Sequence, residues 1–337
     1  MTAAVLCGLG GYLPPRVVTN DEVARDLHIT DEWIYARTGI RQRYWCDPGV
    51  ATSDLAVEAG ARALRSAGLA ATDMVLLATA SPDHQMPATA PAVAARLGMT
   101  GVPALDLNAA CSGFVYALAV GAGLVRGGLA ETLLVIGADA LSFFLDPTDR
   151  MVRLLFGDGA GAVVLRRGDP AEPGALNSFD LGSDGDRHDF IIIPGTGSRQ
   201  RSHGVTTDPS GSYVRMQGRD TFVTAVRRMT ASSRAVLARD GRDVADVDRV
   251  VAHQANARIL HALAEALGLP ADRLVANIDR VGNTSAASIP LALVDGCTSG
   301  ALEEGSYVLL TSFGAGLAWG SAVLSWPKVR LDDEGTT

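Results

Sequence analysis

Two widely separated stretches of this chain follow the same order of residues, and that repetition restricts its possible folds more than any other feature. "TDMVLLATASP" at 72–82 sets an aspartate before an apolar run and leads into "APAVAARLGM". "VDRVVAHQANARILHALAEALGLP" at 247–270 has the same aspartate, apolar run, helical stretch and closing Leu-Gly. A second pair is "FGDGAGAVVL" at 156–165 and "FGAGLAWGSAVLSW" at 313–326, each a Phe-Gly, a glycine-rich turn and an apolar strand. Short apolar runs alternating with helical periods predict parallel or mixed sheets covered by helices. The alternative is the ordinary likeness of unrelated α/β units. The repetition favours a duplicated α/β body with halves 1–175 and 176–337, related strands facing each other across a pseudo-twofold axis. The polar stretch 182–215 is expected to connect the halves.

Composition narrows the functions. With 37 glycines, 47% hydrophobic and only 5% aromatic residues, close helix–sheet packing is expected. The formal charge of −8 argues against nucleic acid as a partner. The basic residues are arginines apart from Lys328, and guanidinium groups suit phosphate. No apolar run reaches the ~18–20 residues of a membrane span. The N-terminus lacks the basic start and cleavage pattern of a secretory signal, so it reads as a first strand ending at Pro14-Pro15. Cys7, Cys46, Cys111 and Cys297 form no CxxC pair and no metal spacing. A reduced, cytoplasmic protein without a metal is therefore expected.

Three residues stand at turns from strand to helix, where α/β proteins tend to place chemistry. Cys111 lies in "DLNAACSGFVYALAVGAGLV", at the expected start of a buried helix. Free N–H groups and the helix dipole there favour a thiolate, and so a nucleophile. A small buried cysteine is the competing reading. His253 follows an apolar strand in "VVAHQAN", and Asn283 sits in the small-residue turn "VGNTSAAS". Taken alone, each could be a structural hydrogen-bonder or a turn residue.

Together, "NAACSGFVYAL", "FGDGAGAVVL", "HQANARIL", "GNTSAASIPLAL", "SFGAGLAWGSAVL" and the opening "TDEWIYARTGIRQRY" resemble the β-ketoacyl-acyl carrier protein synthase III family of the thiolase superfamily. The blocks occur in the family's order over almost the whole chain. The resemblance implies a duplicated, five-layered αβαβα thiolase-like fold, a homodimer and a Cys111-His253-Asn283 catalytic set. It implies a condensing acyltransferase (EC 2.3.1) that uses acyl-CoA as a substrate and needs no cofactor. Cys111 takes the acyl group, and malonyl-acyl carrier protein then condenses with it after losing CO₂. Donors on His253 and Asn283 suit the enolate oxygen, since neither presents a charge that repels it. The acyl oxyanion would meet the backbone N–H groups of Cys111 and Ala315, although the family usually has glycine at the latter. Phe313 would line the malonyl side.

The same resemblance assigns coenzyme A contacts to Trp33, Arg37, Thr38, Arg150 and Asn256, and carrier-protein docking to Arg258. Arg219 stands where a pantetheine-facing asparagine is usual. Met86, in "DHQMPATAP", replaces the family's common phenylalanine as the gate of the partner's acyl pocket, implying a broader acyl range. Fatty acid initiation and polyketide starter formation both fit. So do two other classes: acyl transfer from Cys111 to an alcohol, amine or carrier protein without decarboxylation, and non-catalytic binding of acyl thioesters.

Overall fold

The computed structural model describes residues 2–204 and 209–331. The first sheet contains β1 (Ala3–Tyr12), β2 (Met74–Ala78), β3 (Ala104–Leu107), β4 (Thr132–Asp139) and β5 (Gly159–Gly168), in the order β1-β5-β4-β2-β3. The second contains β6 (Ser178–Ser183), β7 (Arg249–Ala252), β8 (Tyr307–Gly314) and β9 (Ala318–Ser325), in the order β7-β8-β9-β6. The pairing directions repeat. β2 is parallel to β4, β4 antiparallel to β5, and β5 antiparallel to β1. Likewise β7 is parallel to β8, β8 antiparallel to β9, and β9 antiparallel to β6. The repeated sequence blocks therefore hold equivalent places, β2 with β7 and β5 with β9. Only β3 breaks the symmetry: its counterpart is a single bridge from Val250 to Leu274.

Helices make the other three layers. α1 (Thr52–Ala67) covers the outer face of the first sheet, touching β1, β5 and β4. Glycines allow this approach: a Cβ on Gly10 would lie 2.4 Å from the Ala63 nitrogen. α2 (Gly113–Arg126) buries Phe114, Val115, Leu118, Ala122 and Val125. A helix so apolar needs cover on more than one side, and α2 contacts strands of both sheets. α3 (Gly218–Arg239) and α4 (Ala257–Leu267) lie outside the second sheet. α5 (Ser288–Thr298) shares the central layer with α2. The order is α1, first sheet, α2 and α5, second sheet, α3 and α4, a five-layered αβαβα body.

The stretch 182–215 does not join the halves. It lies within the second, between β6 and α3. The reason is that the short, half-buried β6 reads in sequence as part of a polar loop, yet pairs with β9 over six residues. Residues 205–208 of that stretch fall outside the described residues. Among the described residues, no helix is long and apolar enough to cross a membrane.

Candidate active site

Cys111 sits in a single 3-10 turn, Ala110–Ser112, that runs into α2. The turn starts with Asn108, whose side chain accepts the Ala110 N–H at 3.1 Å. Ala110 is then forced to φ 46°, an unfavourable region for a residue with a Cβ. Gly314, at the end of β8, makes room for the turn. A Cβ there would lie 2.8 Å from the Cys111 nitrogen and 3.0 Å from its Cβ. The adjacent Ala315, expected to supply an oxyanion N–H, is half-exposed.

Several groups bear on the ionisation of the Cys111 thiol. Burial pushes its pKa up to about 12, the Asp139 carboxylate pushes the same way, and a hydrogen bond with Ser285 offsets only part. The helix N-terminus acts the other way, its dipole favouring a thiolate by about 0.3–1 kcal/mol in most settings. The Ser285 Oγ is 3.5 Å from the sulfur.

His253 follows β7 directly and is buried. Burial drives its pKa down to about 3, so the ring is neutral. Its Nδ1 is engaged by a neighbour. The Ser288 Oγ accepts the Gln254 N–H at 3.3 Å and lies 2.6 Å from His253 Nδ1. The tautomer in which the hydroxyl gives its proton to Nδ1 leaves Nε2 carrying the ring hydrogen, the form that can donate into the cavity. Asn283 is oriented in a similar way. Its Oδ1 accepts the Ser285 N–H at 3.0 Å, which leaves the NH₂ end as the free-facing donor. Its backbone is clamped by the opposite half: Asn283 N–H donates to the Leu155 carbonyl at 2.8 Å, and Gly157 N–H to the Asn283 carbonyl at 2.9 Å.

These residues line one cavity of about 370 Å³. Buried His253, Asn283 and Phe313 and half-buried Cys111 line it. Arg37 and Arg258, both exposed, mark the mouth. Leu155, Phe156, Phe222 and Met229 give it apolar walls, and Arg219 faces the same space. Asn256 lines it too, though part of its side chain is engaged: Oδ1 caps α4 at the Arg258 N–H and Nδ2 donates to the Arg37 carbonyl. The Thr38 hydroxyl, also at the wall, is held by the Ile34 carbonyl and Ile40 N–H.

Other expected contacts are placed differently. One face of Trp33 is covered by the Arg37 guanidinium, 3.8 Å from the ring centroid. A stacked base would need the guanidinium or the other face of the ring. Exposed Arg150 does not line the cavity, while its neighbour Met151 does. Met86 is 87% exposed and lies outside this chain's own cavity. Sequence reasoning missed Ser285, Ser288 and Asp139. The available signal was spacing, since the two serines stand two and five residues after Asn283 and Asp139 ends β4.

Comparisons with known proteins identify the family. Residues 105–185 match the family model described as 3-oxoacyl-[acyl-carrier-protein (ACP)] synthase III, and residues 237–326 match its C-terminal counterpart. Beta-ketoacyl-[acyl-carrier-protein] synthase III 5 of Streptomyces coelicolor is 56% identical over 97% of this chain and 98% of its own length. The crystal structure of the synthase III from Pseudomonas aeruginosa superposes with a TM-score of 0.92 at 51% identity, covering 97% of this chain and 99% of that one. The priming β-ketosynthase of the R1128 polyketide pathway gives a TM-score of 0.90 at 34% identity, with 97% of each chain covered. With these relatives, the chain belongs to the β-ketoacyl-acyl carrier protein synthase III family of condensing enzymes.

Proposed function

We propose that the enzyme loads an acyl group from acyl-CoA onto Cys111 and condenses it with malonyl-acyl carrier protein, in fatty acid initiation or polyketide starter formation. The observation that carries this reading is the pair of donors facing Cys111 across one cavity: His253 Nε2–H, set by Ser288, and the Asn283 NH₂, set by Ser285. Both are neutral donors with their acceptor ends occupied. They suit an oxygen that gains negative charge as CO₂ leaves the malonyl group. Phe313 and the apolar wall keep water from the enolate. Acyl transfer to an alcohol or amine would need a base at the same place, and His253 held as an Nε2 donor is unsuited to that. A non-catalytic binder would not require an oriented donor pair beside a cysteine.

In this reading coenzyme A enters past Arg37, with the Arg37–Trp33 stack as its nucleotide-side contact, and Arg258 meets the acidic carrier protein. The chain works as a cytoplasmic homodimer, with Met86 reaching the partner's acyl pocket. Its exposure and that of Leu105 on edge strand β3, 40% exposed, suit a face covered by a second copy. The test is intact-protein mass spectrometry after incubation with a panel of acyl-CoAs. One acyl mass should appear on the Cys111 peptide and be absent from Cys111→Ala; equal loading of that variant would refute the reading.

A further inference from the structure

The two N–H groups that would meet the acyl oxyanion, those of Cys111 and Ala315, come from opposite halves of the chain. Their spacing therefore has to be built by tertiary contacts. Ala315 opens the turn 315–317 between β8 and β9, and among the described residues no backbone carbonyl accepts its N–H. On the Cys111 side the turn is fixed at both ends. Gly314 packs against Cys111 too closely to admit a Cβ, and the Ser112 hydroxyl donates to the Ala318 carbonyl at 2.9 Å. The far side of the turn rests on Asp184. Leu317, fully buried, donates its N–H to the Asp184 carbonyl at 2.9 Å and accepts the Asp184 N–H at 2.8 Å.

Asp184 follows the last residue of β6, and β6 is an edge strand. The end of an edge strand frays at little cost in free energy, yet the turn keeps one shape only while the pair with Leu317 holds. The Asp184 side chain supplies that hold. It is 11% exposed, accepts a hydrogen bond from the Arg187 guanidinium and lies 3.6 Å from that of Arg228. Arg187 belongs to the turn that follows β6, so its bond is local. Arg228 comes from α3 and ties the strand end to the outer helix layer. The same guanidinium lies 4.3 Å from the ring centroid of Trp319 on β9, a cation–π contact. Trp319 pairs with Phe313 across the β8–β9 ladder. Gly182 makes room for that ring, since a Cβ there would lie 2.5 Å from it. Arg228 thus braces the hairpin twice, at Leu317 through Asp184 and at Phe313 through Trp319. Neither Asp184 nor Arg228 lines the cavity, so both act at a distance from the substrate.

We infer that Asp184 and Arg228 are positioning residues for acyl loading, setting the Ala315 N–H against that of Cys111. This role rests on Cys111 as nucleophile, from the proposed function. When the Cys111 sulfur, as thiolate, bonds the acyl carbon of acyl-CoA, the carbonyl π pair moves onto its oxygen. That pair returns as the bond to the coenzyme A sulfur breaks, and coenzyme A leaves as thiolate. In between, the oxygen carries the charge that the two N–H groups meet. Donors already fixed in place need no reorganisation at that moment. A turn free to fray would have to be ordered first.

Two reactions of one sulfur separate this role from general support of the fold. Iodoacetamide loses iodide from a saturated carbon and forms no oxyanion, whereas acyl loading does. Asp184→Asn keeps the backbone pair with Leu317 but removes the charge held by Arg228. It should slow acyl loading by about 10-fold or more, against about 10²–10³ for loss of a whole oxyanion donor. Alkylation of the Cys111 peptide by iodoacetamide should stay at the wild-type rate. With the acyl-CoA that loads the wild type best, the maximal loading rate should fall and the half-saturating concentration should not move. Arg228→Gln should act in the same direction, and Arg228→Lys, which keeps the charge, should restore loading. An equal fall in loading and alkylation would mean that the nucleophile turn itself has loosened, and would overturn the positioning role. Wild-type loading in Asp184→Asn and Arg228→Gln would overturn it too, with the nucleophile reading left intact. If Asp184→Asn does not fold, the Arg228 variants, at a half-buried position, decide alone. Absence of an acyl mass on wild-type Cys111 would overturn the nucleophile reading and the positioning role together.

Discussion

Replacing Asn283 with aspartate tests the donor assignment with little disturbance to shape. The side chain is buried, 4% exposed, and its Oδ1 already serves as acceptor for the Ser285 N–H at 3.0 Å. Asn283→Asp keeps that acceptor. It avoids the ~1–3 kcal/mol cost of orphaning a buried N–H that Asn283→Ala would incur, but it buries a carboxyl, so the fold should be destabilised at neutral pH and recover as the pH falls and that group is protonated. What it removes is the NH₂ donor, one of two facing the developing enolate. Loss of one oxyanion donor typically costs about 10²–10³ in rate, or ~2.7–4 kcal/mol. A carboxylate in its place adds repulsion in the same direction. Loading of Cys111 does not use this donor and should stay near the wild-type rate. The assay preloads the enzyme with its acyl group, follows CO₂ release from malonyl-carrier protein by rapid quench, and measures loading separately by intact mass. Burial would also raise the pKa of the introduced carboxyl. CO₂ release should then recover partly below neutral pH, where that group carries a proton to donate. Wild-type CO₂ release, or an equal fall in both half-reactions, would refute the argument.

Three further outcomes are expected. His253 is neutral when folded, with its pKa down to about 3 against 6.5 in the unfolded chain, so the unfolded state binds the extra proton between those values. Stability should therefore fall as pH drops below about 6.5, by up to ~1.4 kcal/mol per unit from this group; His253→Gln should melt with a visibly shallower acid slope, and identical slopes would discount the burial argument. Gly314→Ala places a Cβ 3.0 Å from that of Cys111 and 2.8 Å from its nitrogen, so the nucleophile turn must move; acyl loading should drop by about 10²-fold, the usual result of a misplacement near 1 Å, while an unchanged loading rate would mean the turn tolerates the methyl. Met86→Trp should suppress loading of longer acyl-CoAs and spare acetyl-CoA if Met86 gates the partner's pocket, and an unaltered acyl profile would remove it from that role.

The layered fold was legible because its determinants are local. The aspartate-led apolar runs at 72–82 and 247–270, and the paired Phe-Gly turns, mark equivalent strands that the sheet order then repeats. Cys111 and His253 do lie at strand-to-helix turns, whereas Asn283 follows a short helix, Ile278–Val281, rather than the expected strand; the three were read together only through the resemblance. The groups that decide their chemical state were not legible. Ser288 reaches His253 across 35 positions, and Ser285 meets Cys111 across 174. Asp139 is fixed in place only because Thr79, Ala80, Ser81 and Ala286 converge on it from two separate segments. A helix start in the sequence pointed to an acidic thiol, while the burial that pushes its pKa the other way is a property of the whole stack of layers. β6 was hidden because a half-buried edge strand carries a weak alternating pattern.

The two backbone hydrogen bonds that tie Asn283 to Leu155 and Gly157 also make catalysis a gauge of how firmly the halves hold together. Opening that short bridge would leave both sheets intact and most of the core dry, yet it would release the amide that faces the enolate. Sub-global openings of this kind occur at lower free energy than complete unfolding. In mild denaturant the enzyme should therefore lose condensation while its circular dichroism is still native. The Asn283 and Gly157 amide protons should exchange with solvent ahead of those in the middle of β4, β5 and β8. Coenzyme A or an acyl group bound in the cavity between those segments would delay that exchange, linking occupancy of the tunnel to cohesion of the duplicated fold.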